Sequence, residues 1–149
     1  FLLFNFPAAK MFLGDGGSYA IGSLLALNVV KTSLINPEIH PFFFCVILFY
    51  VFYEVFFSFF RKIFKKKSPL KPDENHLHML IFNKIKDLNF KNPNALTGLL
   101  INLIYLSAIM PVLFRFDFGH ENALFYRYWF FALLFIYTFI YVKLYKSKK

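Results

Sequence analysis

Four apolar runs, at 19–35, 42–60, 95–114 and 123–142, constrain this chain more than any other feature. Each is close to the roughly 20 residues that a helix needs to cross the hydrocarbon core of a bilayer. In lipid the backbone must satisfy its own hydrogen bonds, so such runs fold as helices. The chain has 149 residues, is 58% hydrophobic, and holds 24 phenylalanines against 8 acidic residues. A soluble domain of this size could not bury that much apolar surface. The expected fold is therefore all-α: a polytopic integral membrane helical bundle. It has four complete transmembrane helices plus the end of a preceding one at 1–6, stopped by Pro7. That first piece is too short to span and lacks the basic start of a signal peptide. Residue 1 is not Met and already lies in an apolar run, so 1–149 reads as the C-terminal part of a single longer transmembrane domain.

Charge sets the expected topology. The formal net charge is +9, yet the bases gather beside apolar runs instead of forming a face for nucleic acid. Arg61, Lys62, Lys65, Lys66, Lys67 and Lys71 crowd into one stretch with Pro69 and Pro72, and Lys143, Lys146, Lys148 and Lys149 end the chain. By the positive-inside rule, the 61–94 loop and the C-terminus are cytoplasmic. The short polar segment 115–122 lies on the other side, which returns the loop holding Asp15 to the cytoplasmic face. Lys31, near the far end of its span, can snorkel outward. Within 61–94, Asp73 can cap a helix starting at Glu74, and Leu77, Ile81, Ile85 and Leu88 recur at helical spacing. The expectation is an amphipathic helix on the cytoplasmic interface, broken by Asn92-Pro93-Asn94. Cys45, the single cysteine, sits in an apolar run and reads as packing.

Three places could carry chemistry. In Lys10-Met11-Phe12-Leu13-Gly14-Asp15-Gly16-Gly17-Ser18, a carboxylate stands between glycines just before a long helix, with Ser18 as a candidate N-cap. A carboxylate beside a helix N-terminus can hold a divalent cation while the free N–H groups face an anion. By itself the stretch reads first as an ordinary turn and cap. The second place is His76-Leu77-His78. Residues two apart lie about 200° apart on a helix, so the two rings converge only if the segment starts irregularly. Otherwise they are two solvated histidines, and zinc is disfavoured for want of further ligands nearby. The third is Glu54, an acid inside a span. Such a residue is either functional or linked to Arg61 or Lys62 about two turns on.

The order and spacing of these residues carry a resemblance. Phe4-Asn5-Phe6-Pro7-Ala8-Ala9-Lys10-Met11-Phe12-Leu13-Gly14-Asp15-Gly16-Gly17-Ser18 resembles the polyprenyl-phosphate N-acetylhexosamine-1-phosphate transferases (glycosyltransferase family 4). Those enzymes are relatives of phospho-N-acetylmuramoyl-pentapeptide transferase. Asp73 to His78 resembles the family's His-x-His-His loop, with Met79 in place of the last histidine. The family's upstream Asp-Asp loop and its nucleotide loop match nothing here.

The resemblance implies transfer of a sugar 1-phosphate from a UDP-sugar, such as UDP-N-acetylglucosamine, to undecaprenyl phosphate. UMP is released, on the cytoplasmic face of a bacterial inner membrane, for cell-envelope polysaccharide. It implies that Asp15 binds Mg²⁺ (or Mn²⁺), that Phe12 stacks on uracil and Asn5 bonds the nucleotide, and that His76 and His78 hold the diphosphate. Lys10 joins this set on charge alone. The partners expected are the UDP-sugar, the polyprenyl phosphate and the bilayer, with a homodimer as a further one and no nucleic acid. Without the acidic loops, 1–149 by itself is expected to be inactive. The competing reading is a transporter or structural membrane subunit in which Glu54 and Lys31 are the only working charges. It leaves the Asp15 loop and the His loop as coincidence.

Overall fold

The computed structural model describes residues 2–6, 11–69, 71, 73–114 and 120–147. In chain order they form α1 (Leu2–Asn5), α2 (Gly14–Ile35), α3 (Pro41–Ile47), α4 (Phe49–Phe64), α5 (Leu77–Asp87), α6 (Pro93–Leu113) and α7 (Ala123–Ser147). A single 3-10 turn, His120–Asn122, leads into α7. The described residues contain no strand. Helices α2, α6 and α7 are each long and apolar enough to cross a membrane. The pair α3 and α4 would supply a fourth crossing if the two act as one span. Many large apolar side chains face outward, among them Leu24, Leu27, Phe52, Phe56, Phe135 and Phe139. That surface suits lipid.

The structure corrects several boundaries. The 42–60 span is not one rod, because α3 and α4 meet at Leu48 with a bend of 77°. Neither Pro nor Gly stands there. Instead the Tyr105 hydroxyl donates to the Ile47 carbonyl, so a side chain enters the helix ladder at the break. Helix α3 opens with Pro41 at its first position, and the His40 ring accepts the Phe42 N–H at 3.2 Å. The helix after Asp15 starts at Gly14 and not at Tyr19. Gly14 has φ +68°, which glycine adopts without strain, and so the chain turns into the helix at that residue. Ser18 is therefore not the N-cap. Its hydroxyl donates back to the Gly14 carbonyl at 2.8 Å, one turn inside the helix. Cys45 is exposed and not packed.

The buried core lies where α3, α4, α5, α6 and α7 meet. Val46, Phe49, Leu77, Leu80, Val112 and Tyr126 are its centre. Helix α5 buries Leu77, Ile81 and Ile85 as its spacing predicts, adds Leu80, and leaves Leu88 exposed. It packs against α6 and α7, so it is part of the bundle as well as an amphipathic helix. Helix α2 stands apart, with no buried residue.

Candidate active site

The His loop is built from three elements. Its backbone enters α5 at His76, which is the N-cap in extended conformation (φ −75°, ψ 152°). The helix thus starts three residues after Glu74, and Asp73 is not its cap. This late start lets His76 and His78 converge. His76 is still extended while His78 is in the first turn, and their rings stack at 5.6 Å with 19° between planes.

Glu54 of α4 does not pair with Arg61 or Lys62. Its Oε1 accepts from His76 Nδ1 at 2.9 Å and from the Leu77 N–H at 3.1 Å. Its Oε2 accepts from the Tyr137 hydroxyl of α7. Arg61 donates through one nitrogen to Asp73 Oδ1 at 3.1 Å and to Ser58 Oγ at 3.2 Å. Lys62 donates to the carbonyls of Pro69 and Lys71 at 3.1 and 2.7 Å. Asp73 also accepts the Asn75 N–H at 3.1 Å and lies 3.9 Å from His76 Nε2. Partial burial pushes the Asp73 carboxyl up. The Arg61 hydrogen bond, the Asn75 N–H and the Arg61 and Lys62 charges outweigh it and hold the group below the usual range.

Helix α7 closes the loop from the other side. Tyr137, Tyr141 and Tyr145 recur every four residues, so their rings stack along one face, 6.4 and 5.8 Å apart. Tyr137 reaches Glu54, Tyr141 donates to the Asn75 carbonyl at 3.0 Å, and the Lys65 ammonium donates to the Tyr145 hydroxyl at 2.7 Å. Phe57 of α4 meets Tyr137 and Tyr141 edge-on at 5.4 and 4.6 Å. The sequence analysis gave these tyrosines no role. Their four-residue spacing beside an acid-bearing span was the available signal.

His78 and Met79 border a cleft of about 380 Å³ with Tyr50, Phe82, Asn94 and Thr97. Desolvation lowers the His78 pKa and the neighbouring His76 adds to that, while Glu54 opposes it less strongly. The ring is therefore held toward its neutral form.

The Asp15 region is open. Asp15 lies exposed in the first turn of α2, and Leu13, at the N-cap, makes no side-chain cap bond. The Phe12 ring is 92% exposed and Asn5 is half-buried. Lys10 and Pro7 lie outside the described residues. Gly17 has a local reason to be glycine, since a Cβ there would meet the Leu13 side chain at 2.7 Å. Among the described residues no hydrogen bond or ion pair joins Asp15 to His76 or His78. None holds three or more His, Cys, Asp or Glu placed to bind a metal. A lone exposed carboxylate still fits Mg²⁺ in one way. That ion is commonly held by one or two protein carboxylates with substrate phosphates completing the shell.

Comparison with known proteins shows what these residues are similar to. Residues 1–33, which include Asn5, Phe12 and Asp15, match the model of Glycosyl transferase family 4. An undecaprenyl-phosphate alpha-N-acetylglucosaminyl 1-phosphate transferase of Thermotoga maritima is 39% identical over 85 residues, 57% of this chain and 28% of the relative. A probable undecaprenyl-phosphate N-acetylglucosaminyl 1-phosphate transferase of Bacillus subtilis is 33% identical over 82 residues, 52% of this chain and 22% of the relative. The chain therefore spans well under half the length of either relative. No solved structure matches significantly. Residues 1–33, the segment that carries Asp15, are thus similar to glycosyl transferase family 4.

Proposed function

We propose that this chain forms part of a membrane enzyme that transfers a sugar 1-phosphate to a polyprenyl phosphate. The donor is a UDP-sugar, with UDP-N-acetylglucosamine the first choice, because both relatives are named for N-acetylglucosaminyl 1-phosphate transfer to undecaprenyl phosphate. An oxygen of the acceptor phosphate bonds to the β-phosphorus of the donor. The bond from that phosphorus to the bridging oxygen breaks, and its electron pair leaves with UMP. Such chemistry asks the protein for alignment and charge neutralisation more than for covalent help.

The residues suit those tasks. Asp15 would hold Mg²⁺, which when bound neutralises diphosphate charge. The uncapped start of α2 offers N–H groups to an anion. The exposed Phe12 ring would stack on the uracil, and Asn5 and Lys10 would bind the nucleotide. His76 and His78 would hold the diphosphate, on the cytoplasmic side where a soluble nucleotide can meet a lipid acceptor. The observation that carries the reading is the match of residues 1–33, centred on the Asp15 stretch, to the transferase family. A transporter or structural subunit would leave that match unexplained.

The test is an assay on the full-length gene product in membranes, supplied with UDP-N-acetylglucosamine, undecaprenyl phosphate and Mg²⁺. UMP release coupled to a new lipid-linked sugar phosphate is expected. The 149 residues by themselves are expected to release none. A full-length product that makes no lipid-linked sugar phosphate from any UDP-sugar would sink the proposal.

A further inference from the structure

We propose that Glu54 is the positioning residue of the His loop: it holds the His76 ring through the hydrogen on Nδ1 and fixes the first turn of α5, and through the ring stack it sets where His78 faces. The role in transfer rests on the reading of His76 and His78 as diphosphate holders. The geometry beneath it does not.

Glu54 lies in an apolar helix, where an acid is costly and is kept when something needs it. It is only 9% exposed. A charge link could account for it, but the nearby cations on its own helix are engaged elsewhere. Arg61 serves Asp73 and Ser58, and Lys62 serves two loop carbonyls. What converges on Glu54 instead is a set of three donors: His76 Nδ1, the Leu77 N–H and the Tyr137 hydroxyl. Oε1 already accepts the Leu77 N–H, so the His76 ring meets it with a hydrogen on Nδ1. Nε2 is the atom left for another partner, and it donates to a diphosphate oxygen when the ring carries its second proton there.

The Leu77 N–H is among the first amides of α5, which have no acceptor within the helix. His76, at the N-cap, makes no side-chain cap bond. Glu54 therefore does the capping from 23 residues upstream. One carboxylate thus fixes the helix start and the ring of the residue before it. Because His78 stacks on that ring and lines the 380 Å³ cleft, its orientation follows.

The test uses the full-length protein in lipid nanodiscs with ¹⁵N-labelled histidine. In the wild type, ring nitrogen shifts should show the hydrogen of His76 on Nδ1. Glu54→Ala should lose that signature and speed exchange of the Leu77 amide at least about tenfold. Glu54→Gln, whose amide oxygen can still accept from both donors, should keep most of it. In turnover Glu54→Ala should lower kcat at least about tenfold with KM for the UDP-sugar changed less, and Glu54→Gln should recover most of the loss. A wild-type His76 that carries its hydrogen on Nε2 alone would overturn the proposal, whether or not any variant folds. So would Glu54→Ala with normal kcat. A full-length protein that transfers no sugar phosphate would refute the transferase reading, while the wild-type spectrum would still decide on Glu54.

Discussion

Two histidines two residues apart illustrate what a side chain's neighbours decide. His76 is held by Glu54 at 2.9 Å, while His78 borders the cleft. Under the proposed function, His76→Ala and His78→Ala in the full-length enzyme should each lower kcat roughly a hundredfold or more, the usual cost of a donor used in the transition state. His76→Ala should also loosen the loop, which faster exchange at Leu77 would reveal. Met79→Ala should cost far less, since a thioether cannot donate a hydrogen bond. Asp15→Asn should remove most activity and leave expression intact, because the side chain is exposed and makes no hydrogen bond or ion pair among the described residues. UMP release at matched membrane expression ranks all four. If Met79→Ala is the most damaging, the assignment of the histidines is wrong. The loop should also respond to acid. Both His78 and Asp73 have lowered pKa values, so the folded loop binds fewer protons than the unfolded chain. The His78 contribution is complete above its ordinary 6.5 and is lost as pH falls through its lower folded value. The Asp73 contribution is lost further down, below its ordinary 3.8. Amide exchange over Asn75–Leu77, corrected for intrinsic rate, should therefore show less protection at pH 5 than at pH 7.5. Equal protection would contradict the sign.

At the scale of elements, much was legible and the misses share one cause. Apolar runs located α2, α6 and α7 because lipid demands long unbroken helices. The stripe of Leu77, Ile81 and Ile85 located α5 because helical period and burial coincide there. What stayed hidden depends on partners far along the chain. The break at Leu48 rests on Tyr105, 58 residues beyond Ile47. The late start of α5 rests on Glu54, and the loop's closure on Tyr141, 66 residues beyond Asn75. Local propensity carries none of this. At the Asp15 stretch the resemblance named the residues, but the contact that would join them to the His loop is not among the described ones. Tyr105→Phe tests the break. It removes the donor to the Ile47 carbonyl and should destabilise the protein by about 0.5–1.5 kcal/mol. Thermal unfolding in detergent reads this directly, and an unchanged midpoint would remove Tyr105 as the cause of the bend.

The whole molecule poses a problem of assembly. Helices α3 to α7 share a core around the His loop, whereas α2 and its Asp15 lie outside it with no buried residue. The proposed chemistry needs both on one membrane face. Cysteines placed singly at Ser68 and Glu121, after replacement of the native Cys45, should label from opposite sides. Labelling from one side would overturn the topology. The central claim is stronger than topology: Asp15 and the histidines serve one bound diphosphate. Paramagnetic broadening tests it most directly. Full-length protein with ¹⁵N-labelled histidine is given UDP-N-acetylglucosamine and Mn²⁺ in place of Mg²⁺. The account predicts that the His76 and His78 signals broaden in the wild type and stay sharp in Asp15→Asn. Sharp signals in the wild type under saturating Mn²⁺ and donor would contradict it.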